Sequence, residues 1–289
     1  VMMKKWDAEE AMRLIEKEKV TYFVGVPLMS MEIYSHPKLK DYDLSTCVSM
    51  AAGGAPRPVE HVKRIKEGMG KGFPLIGYGL TETNAVGCGN FNENYLAKPN
   101  STGKASLPLV DLAILDDDGN LVAQGGVGEV CIRSVANFRG YWRNEEATKA
   151  AFTDDQYFRT GDLGYVDEDG YLYIVDRKKD IIIRGGENIT CIEVEDAIYA
   201  HSDIAECSVF GLPDERMGEV PACVFNVKEG RDAMTVGQLR EFLLSNIAPF
   251  KVPLEEHIWV VNEPLPRLGT QKIDKKTLRA HYTEQLTAA

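Results

Sequence analysis

The chain has 289 residues, of which 44% are hydrophobic and 27% are charged, and its formal net charge is −11 at pH 7. This length allows one or two domains with a substantial buried core. The acidic balance argues against a general nucleic-acid surface, which would need clustered lysine and arginine, so any phosphate site must be local. The sequence has no apolar run of transmembrane length and no signal-peptide pattern, and we expect a cytoplasmic protein.

The cysteines do not follow the spacing of a zinc site or a disulfide framework. Six of them are scattered through the chain, at Cys47, Cys88, Cys131, Cys191, Cys207 and Cys223. Zinc sites and disulfide-rich domains place cysteines in short, paired intervals, and no such pair occurs here. We therefore predict reduced thiols that pack in the core. The five histidines are dispersed and receive no role.

The first 98 residues predict alternating helices and strands. Asp7 followed by Glu10 predicts a capping box for a helix that we extend to about Lys17. Buried strands are predicted at 20–26, 46–52 and 73–78, with helices after Pro27 and from Pro58 to about residue 67. Such alternation indicates a parallel sheet covered by helices.

The pattern changes after residue 98. Residues 99–176 predict short strands joined by turns, including DDDGN at 116–120 and DEDG at 167–170, which indicates an antiparallel sheet or barrel. DDDGN lacks the ligand spacing of a calcium loop and reads as a hairpin turn. Residues 177–289 mix helices at 192–200, 236–247 and from 275 with strands at 204–211, 220–227 and 257–261. The predicted fold class is α/β and α+β, with a domain at 1–176 (α/β at 1–98, β-rich at 99–176) and a small α+β domain at 177–289.

The two predicted domains meet at residues 176–189, which read DRKKDIIIRGGENI. Residues 177–180 are too hydrophilic for a core strand, whereas residues 181–183 are β-branched and need burial on one face. The pair Gly185–Gly186 permits left-handed backbone and close approach of a ligand, and Glu187 adds a polar group there. This segment predicts a hinge followed by a glycine loop.

Five segments, taken in chain order, carry a family resemblance. They are GGAP at 53–56, YGLTET at 78–83, TGD at 160–162, DRKKDIIIRGGENI at 176–189 and PRLGTQKIDKKTLR at 266–279. Singly, GGAP is most often a tight turn and TGD a loop. Together the chain resembles the adenylate-forming superfamily of acyl-CoA synthetases, luciferases and peptide-synthetase adenylation domains. The resemblance runs through nearly the whole chain.

The resemblance also implies where this chain sits in the enzyme. Residues 1–176 correspond to the C-terminal part of the family's large N-terminal adenylation domain, and residues 177–289 to its small mobile C-terminal domain. The family's upstream loop, rich in Ser, Thr and Gly and ending in Lys, does not occur in this sequence. We therefore expect the chain to need a missing N-terminal part of the same enzyme and to be inactive alone. The sequence leaves open whether it forms a homo-oligomer.

Three residues take catalytic roles by resemblance. Glu82 would hold Mg²⁺, Thr81 would bond a phosphate oxygen, and Lys272 would meet the α-phosphate and the acyl carboxylate as charge develops. Many relatives carry Gly immediately before this lysine, where this chain has Gln271. A rival interpretation makes Lys272 an ordinary solvated lysine in a basic run with Lys275, Lys276 and Arg279.

The resemblance assigns a second group of residues to the nucleotide. The backbone of Gly53, Gly54, Ala55 and Pro56 would lie flat beside the adenine. Tyr78 would stack on the base, with Gly79 next to it in the same segment. Asp162 stands at the family's ribose-binding position, where two acceptor oxygens suit vicinal hydroxyls. Arg177 would add a second ribose or phosphate contact.

A third group serves the thiol step by resemblance. Lys179 occupies the family's hinge position. Rotation about it would withdraw Lys272 and bring up the CoA-side loop, which consists of Arg184, Gly185, Gly186 and Glu187, so that the pantetheine arm of CoA lies between the domains.

The implied activity is that of an ATP-dependent, AMP-forming acid:CoA ligase for a fatty or related hydrophobic carboxylic acid, with ATP, Mg²⁺ and CoA. Two alternatives remain: transfer of the acyl group to a carrier-protein thiol, and a noncatalytic fragment. Residues near the front could line an acyl pocket, although their spacing is more typical of core; they are Tyr22, Phe23, Met29, Met31 and Tyr34.

Overall fold

The computed structural model describes residues 1–228, 230–231, 234–269 and 272–288. For residues 287 and 288 it describes the backbone alone. The chain divides into two compact units, Val1–Ile174 and Val175–Ala289. The division lies close to the domain boundary predicted after residue 176.

The first sheet of the first unit has its strands in chain order: β1 (Tyr22–Gly25), β2 (Ser49–Gly53), β3 (Phe73–Tyr78), β4 (Cys88–Asn90) and β5 (Lys104–Ala105). The pairs β1–β2 and β2–β3 are parallel, as predicted. The pairs β3–β4 and β4–β5 are antiparallel, so the predicted parallel strands are part of a larger, mixed sheet. The reason is the short connection through a 3₁₀ turn at Thr81–Thr83, since a parallel neighbour would need a long crossover.

The helices of this unit are α1 (Ala8–Glu18), α2 (Pro27–Ser35), α3 (Val59–Met69), α4 (Asn92–Ala97) and α5 (Glu145–Ala150). The predicted cap of α1 is confirmed, because the Asp7 carboxylate accepts a hydrogen bond of 2.8 Å from the backbone N–H of Glu10. The Glu10 side chain pairs with Arg13 instead of closing a capping box. α1, α2 and α3 pack one apolar face around Met12, Ile33, Met50 and Ile65.

The prediction that β1 is buried is wrong on one of its faces. Tyr22 is 53% exposed and Val24 is 68% exposed, whereas Phe23 between them packs into the core of α1–α3. Successive side chains of a strand point to opposite faces, so only the helix-covered face of this edge strand is buried in the described chain.

The second sheet of the unit is antiparallel, as predicted, with β6 (Val110–Leu115), β7 (Gly128–Ser134), β8 (Phe158–Val166) and β9 (Leu172–Arg177) in this order. The predicted turn at 116–120 is confirmed, because the Asp116 carboxylate accepts from the backbone N–H of Asn120 at 2.8 Å. The turn at 167–170 joins β8 to β9, and the Asp167 carboxylate accepts from the backbone N–H of Tyr171.

The second unit is the predicted small α+β domain. Its strands are β10 (Ile182–Arg184), β11 (Glu187–Ile189), β12 (Ile204–Asp214), β13 (Gly218–Val227) and β14 (Ile258–Val260), and its helices are α6 (Cys191–Tyr199), α7 (Val236–Leu244) and α8 (Lys275–Ala288). The sheet runs β11-β10-β13-β12, with β14 beside β13.

All six cysteines of the chain are free and buried, which confirms their role as core residues.

Candidate active site

Two of the motif segments begin at the same edge of the first sheet. GGAP starts at Gly53, the last residue of β2, and YGLTET starts at Tyr78, the last residue of β3. These parallel strands are hydrogen-bonded neighbours, with Gly53 opposite Gly77. The carboxyl edge of a parallel sheet is where open α/β folds place their ligands, and the two segments meet there.

Glycine is required by close packing at two points of this edge. A Cβ atom on Gly53 would lie 2.9 Å from the carbonyl oxygen of Gly77, and one on Gly79 would lie 2.6 Å from the backbone carbon of Ala85. Any side chain would displace backbone at both positions. This packing is a structural reason for the glycines that holds whether or not a nucleotide lies against them.

The structure brings Tyr78 and Asp162 together across the two sheets of the first unit. The Tyr78 hydroxyl donates to Asp162 Oδ2 at 2.7 Å, and Asp162 is only 7% exposed. Thr160 holds the backbone of Asp162, because its hydroxyl accepts from the Asp162 N–H at 3.1 Å and donates to the Val130 carbonyl at 2.7 Å. Burial, followed by the charge of Asp162, raises the pKa of Tyr78, so its hydroxyl is protonated at neutral pH.

Within YGLTET, residues Thr81–Thr83 form a short 3₁₀ turn. Thr83 is buried, and its hydroxyl accepts from the Leu80 N–H at 3.1 Å, which holds the turn. Thr81 is exposed and Glu82 is half-buried, so both can reach a ligand.

Sequence reasoning missed one contact of this turn. The Tyr141 hydroxyl donates to Glu82 Oε1 at 3.0 Å from a loop that received no function. The only signal was the run Gly140–Tyr141–Trp142, an aromatic pair after a glycine in a polar stretch. Such a run does not reveal its partner, which lies 59 positions earlier.

The Glu82 carboxylate fits a magnesium ligand that acts together with a substrate. Mg²⁺ keeps several waters and is usually held by one or two carboxylates plus substrate phosphates, not by an all-protein cage. Among the residues that the structure describes, no group of three or more His, Cys, Asp or Glu is arranged to hold a metal ion. A single half-buried carboxylate beside the exposed Thr81 agrees with the first type of site.

The remaining motif residues lie in the second unit. Arg177 ends β9 with its side chain exposed, and Lys179 lies in the exposed turn that follows. The preceding Asp176 is 2% exposed and accepts from the backbone N–H groups of Arg177, at 2.8 Å, and of Cys191 at the start of α6. Burial raises the pKa of Asp176 to about 6, against the opposing effect of Lys275 and these hydrogen bonds.

The glycine loop is the turn of the hairpin β10–β11. Gly185 has φ +60° and Gly186 has φ +92°, which confirms that both need left-handed backbone. The N–H of Gly185 donates to the Met217 carbonyl at 2.7 Å. In the strand register of the hairpin, Arg184 lies opposite Glu187. The loop therefore presents Arg184 and Glu187 side by side.

Lys272 lies just before α8 on a short pairing of residues 267–268 with 272–273. Its carbonyl oxygen accepts from the Leu268 N–H at 2.8 Å, and its side chain is exposed. The neighbouring Gln271, where the family pattern departs, lies outside the described residues. Two other cations of the basic run are engaged in ion pairs, Lys275 with Glu195 at 3.0 Å and Arg279 with Glu219 at 2.6 Å. These pairs leave the rival interpretation of Lys272 as an ordinary solvated lysine untested.

The suggested acyl-pocket residues divide between core and surface. Met31 is buried, and Phe23 and Tyr34 pack against the same core of α1–α3. Tyr22 is exposed on the other face of β1. The core interpretation, which the spacing favoured, fits the three packed residues.

In the part of the chain that the structure covers, no helix has both the length and the apolar character that a membrane crossing requires.

Comparison with known proteins gives matches over most of the chain. Residues 1–142 match the model of the AMP-binding enzyme family, and residues 193–272 match the model of the AMP-binding enzyme C-terminal domain. The chain is 39% identical to a long-chain-fatty-acid–CoA ligase of Bacillus subtilis over 98% of its own length and 50% of the relative's. It is 36% identical to the mitochondrial medium-chain acyl-CoA ligase ACSF2 of Danio rerio, over 97% of this chain and 46% of that one.

A solved structure shows the same architecture. ATP-bound MatB from Rhodopseudomonas palustris matches with a TM-score of 0.86 and 30% identity, over 98% of this chain and 55% of that chain. The chain thus spans about half the length of the curated relatives it matches.

Proposed function

Because the chain belongs to the AMP-binding family of adenylate-forming enzymes, we propose that it is the C-terminal part of an ATP-dependent, AMP-forming acid:CoA ligase. The substrate would be a fatty or related hydrophobic carboxylic acid. Its relatives include acyl-CoA ligases named for long-chain and medium-chain substrates, which supports the class of acid and not a particular chain length.

The proposed chemistry has two steps. In the first, a carboxylate oxygen of the acid attacks the α-phosphorus of ATP, the bond to the bridging oxygen breaks, and pyrophosphate leaves. In the second, the CoA thiol loses its proton and attacks the acyl carbon, the bond from that carbon to the phosphate oxygen breaks, and AMP leaves. The products are a thioester, AMP and pyrophosphate.

The first step requires cations, since it brings a carboxylate up to a polyphosphate. Repulsion between two unit charges is about 4 kcal/mol at 4 Å with an effective dielectric constant of 20. We assign Lys272 to offset it at the α-phosphate, because lysine is a compact point charge on a flexible stem. Thr81 would donate to a phosphate oxygen. A Mg²⁺ ion held by Glu82 and the phosphates would supply further positive charge.

The hydrogen bond between Tyr78 and Asp162 is the single observation that best supports a nucleotide site. It joins two motif segments, YGLTET and TGD, at the end of β3, whose Gly77 lies opposite Gly53 of β2. An aromatic ring next to a buried carboxylate is suited to stacking on a base while accepting from a ribose hydroxyl. Asp162 would accept from a ribose hydroxyl, and Arg177 would add a further ribose or phosphate contact.

The second step would use the hinge and the glycine loop. We assign Lys179 as the pivot and residues 184–187 as the side that meets CoA. The left-handed backbone of Gly185 and Gly186 supports this, because a turn without Cβ atoms lets the extended pantetheine arm pass closely.

A carrier-protein thiol is the alternative acceptor. The experiment that separates the two supplies the intact enzyme with ATP, Mg²⁺ and acids of graded length, together with either CoA or a phosphopantetheinylated carrier protein. Mass spectrometry then detects acyl-CoA or acylated carrier. We expect acyl-CoA and AMP in equal amounts. Acylation of the carrier alone, or activity with amino acids alone, would refute the proposal.

The noncatalytic alternative concerns the 289-residue chain by itself. Because it spans about half of its curated relatives, we propose that it acts only within a protein of about their length. The same assay run on the chain alone is expected to give no thioester. Thioester formation by the chain alone would show that the additional length is not needed.

A further inference from the structure

The Glu82 carboxylate is bonded by a side chain that the proposed mechanism does not yet use. Tyr141 donates its hydroxyl to Glu82 Oε1 at 3.0 Å. A tyrosine hydroxyl has an ordinary pKa of about 10, so it is a donor at neutral pH. The bond occupies one oxygen of the carboxylate from a fixed direction and leaves Oε2 and the remaining lone pair of Oε1 for another ligand.

The loop that carries Tyr141 is tied to the Glu82 turn at two more points. The Phe138 N–H donates to the Glu82 carbonyl at 2.7 Å, and the Asn84 side-chain amide donates to the Ala136 carbonyl at 2.7 Å. Backbone and side chain of Glu82 are therefore both held by residues 136–141. A change in this loop would alter the placement of the carboxylate.

The Tyr141 ring is in turn fixed by aromatic packing. It meets the Phe138 ring edge-on at 4.9 Å between centroids, and Phe138 packs on Phe152 at 5.6 Å and on Phe158 of β8 at 5.5 Å. Edge-on and offset aromatic contacts of this kind are favourable because of the charge distribution of the rings. The Tyr141 N–H also donates to the Thr148 hydroxyl at 2.9 Å. The hydroxyl thus approaches Glu82 from a rigid support that reaches the second sheet.

We propose that Tyr141 is a positioning residue for the metal-binding carboxylate of Glu82, which it orients so that the free oxygen faces the cation bound with ATP. This inference rests on the proposed function. Partners that hydrogen-bond to a ligating carboxylate typically change metal affinity by about 10- to 100-fold when removed. The effect of losing the hydroxyl should therefore appear in the dependence on Mg²⁺ and not in the fold.

The test replaces Tyr141 by Phe in the intact enzyme and measures ATP binding by calorimetry over a range of free Mg²⁺, without acid. We expect half-maximal binding to need about 10- to 100-fold more Mg²⁺ than in the wild type. The Mg²⁺ concentration for half-maximal pyrophosphate exchange at saturating ATP should rise by the same factor. Tyr141→His, which keeps a donor, should recover part of the affinity.

Tyr157→Phe is the matched control. In the wild type, the Tyr157 hydroxyl donates to Asp111 Oδ2 at 2.7 Å. This is another tyrosine–carboxylate bond in the same unit, but it lies outside the site. Tyr157→Phe should leave the Mg²⁺ dependence unchanged. Thermal unfolding of each variant detects any loss of fold. If Tyr141→Phe does not fold, the Mg²⁺ requirement of Tyr141→His is compared with that of the wild type, and an unchanged requirement would support the inference only if a folded Tyr141→Leu raises it.

Two further outcomes separate this inference from the proposed function. If Glu82→Gln raises the Mg²⁺ requirement and Tyr141→Phe does not, Tyr141 has no positioning role and the proposed function stands. If Glu82→Gln leaves the Mg²⁺ requirement unchanged, Glu82 does not hold the cation and both the metal assignment and the inference are overturned.

Discussion

The Tyr78 hydroxyl donates a hydrogen bond of 2.7 Å to the carboxylate of Asp162, 84 positions later in the chain. This bond links the end of β3 in the first sheet to β8 in the second. It brings an aromatic residue and a buried carboxylate together, and the proposed nucleotide site includes both.

Loss of the Asp162 carboxylate should weaken ATP binding. A hydrogen bond to a charged group contributes about 1.5–3 kcal/mol, and 1.4 kcal/mol corresponds to a factor of ten, so Asp162→Ala should raise the Kd for ATP by about 10- to 100-fold. Tyr78→Phe keeps the ring and should have a smaller effect. Calorimetry measures both. Unchanged ATP affinity in a folded Asp162→Ala enzyme would contradict the ribose assignment.

Lys272→Ala should separate the two half-reactions. We expect acyl-adenylate formation to fall by about 10²- to 10³-fold, as when a group that stabilises transition-state charge is removed. Thioester formation from supplied acyl-adenylate and CoA should persist, because Lys272 would be withdrawn in that step. Lys276→Ala, which changes an exposed neighbour at the start of α8, is the control. Equal effects of the two substitutions would support the interpretation of Lys272 as a surface lysine.

Restricting the backbone at the pivot should impair the second step more than the first. Proline fixes φ near −65°, so Lys179→Pro limits rotation at this residue, whereas Lys179→Ala does not. We expect Lys179→Pro to reduce thioester formation more than acyl-adenylate formation, and Lys179→Ala to preserve both. Stopped-flow assays of the separate half-reactions check this. Equal loss of both steps in the proline variant would exclude a hinge role.

Asp176 should make the free energy of unfolding depend on pH. Burial raises its pKa to about 6, above the ordinary carboxyl value, so the folded state favours the protonated form. Its contribution to stability is then fully present below about pH 4 and is lost as the pH rises through about 6.

Urea denaturation between pH 4 and pH 8 measures this contribution. One pKa unit corresponds to 1.36 kcal/mol, so the wild type should lose about 2–3 kcal/mol relative to Asp176→Asn over this range. The asparagine variant corrects for other titrating groups and for any constant loss of hydrogen bonding. A constant difference between the two proteins at every pH would show that Asp176 titrates normally.

The elements that the sequence predicted well are those with strong local signals. The Asp7 cap gave α1, the apolar run at 73–78 gave β3 with its bounds, and the paired glycines 185 and 186 gave a left-handed turn. Each signal depends on neighbours in sequence, so tertiary packing did not alter it.

Most of the errors and omissions involve long-range contacts, and the antiparallel β4 is an exception because the turn before it is local. The antiparallel β4 depends on a turn held by Thr83, and the exposure of Val24 depends on which face of β1 the helices cover. The bond from Tyr141 to Glu82 and the pairing of Lys275 with Glu195 join residues far apart in sequence. No local pattern specifies such partners, and the motif order predicted the site only through the family resemblance.

The most direct test of the proposed acid activation is ATP–pyrophosphate exchange by the intact enzyme, with and without a fatty acid and in the absence of CoA. We predict exchange that requires both the acid and Mg²⁺ and that falls by about 10²- to 10³-fold in Lys272→Ala. Exchange that is absent with every carboxylic acid, or that proceeds equally well without one, would contradict an adenylate-forming ligase.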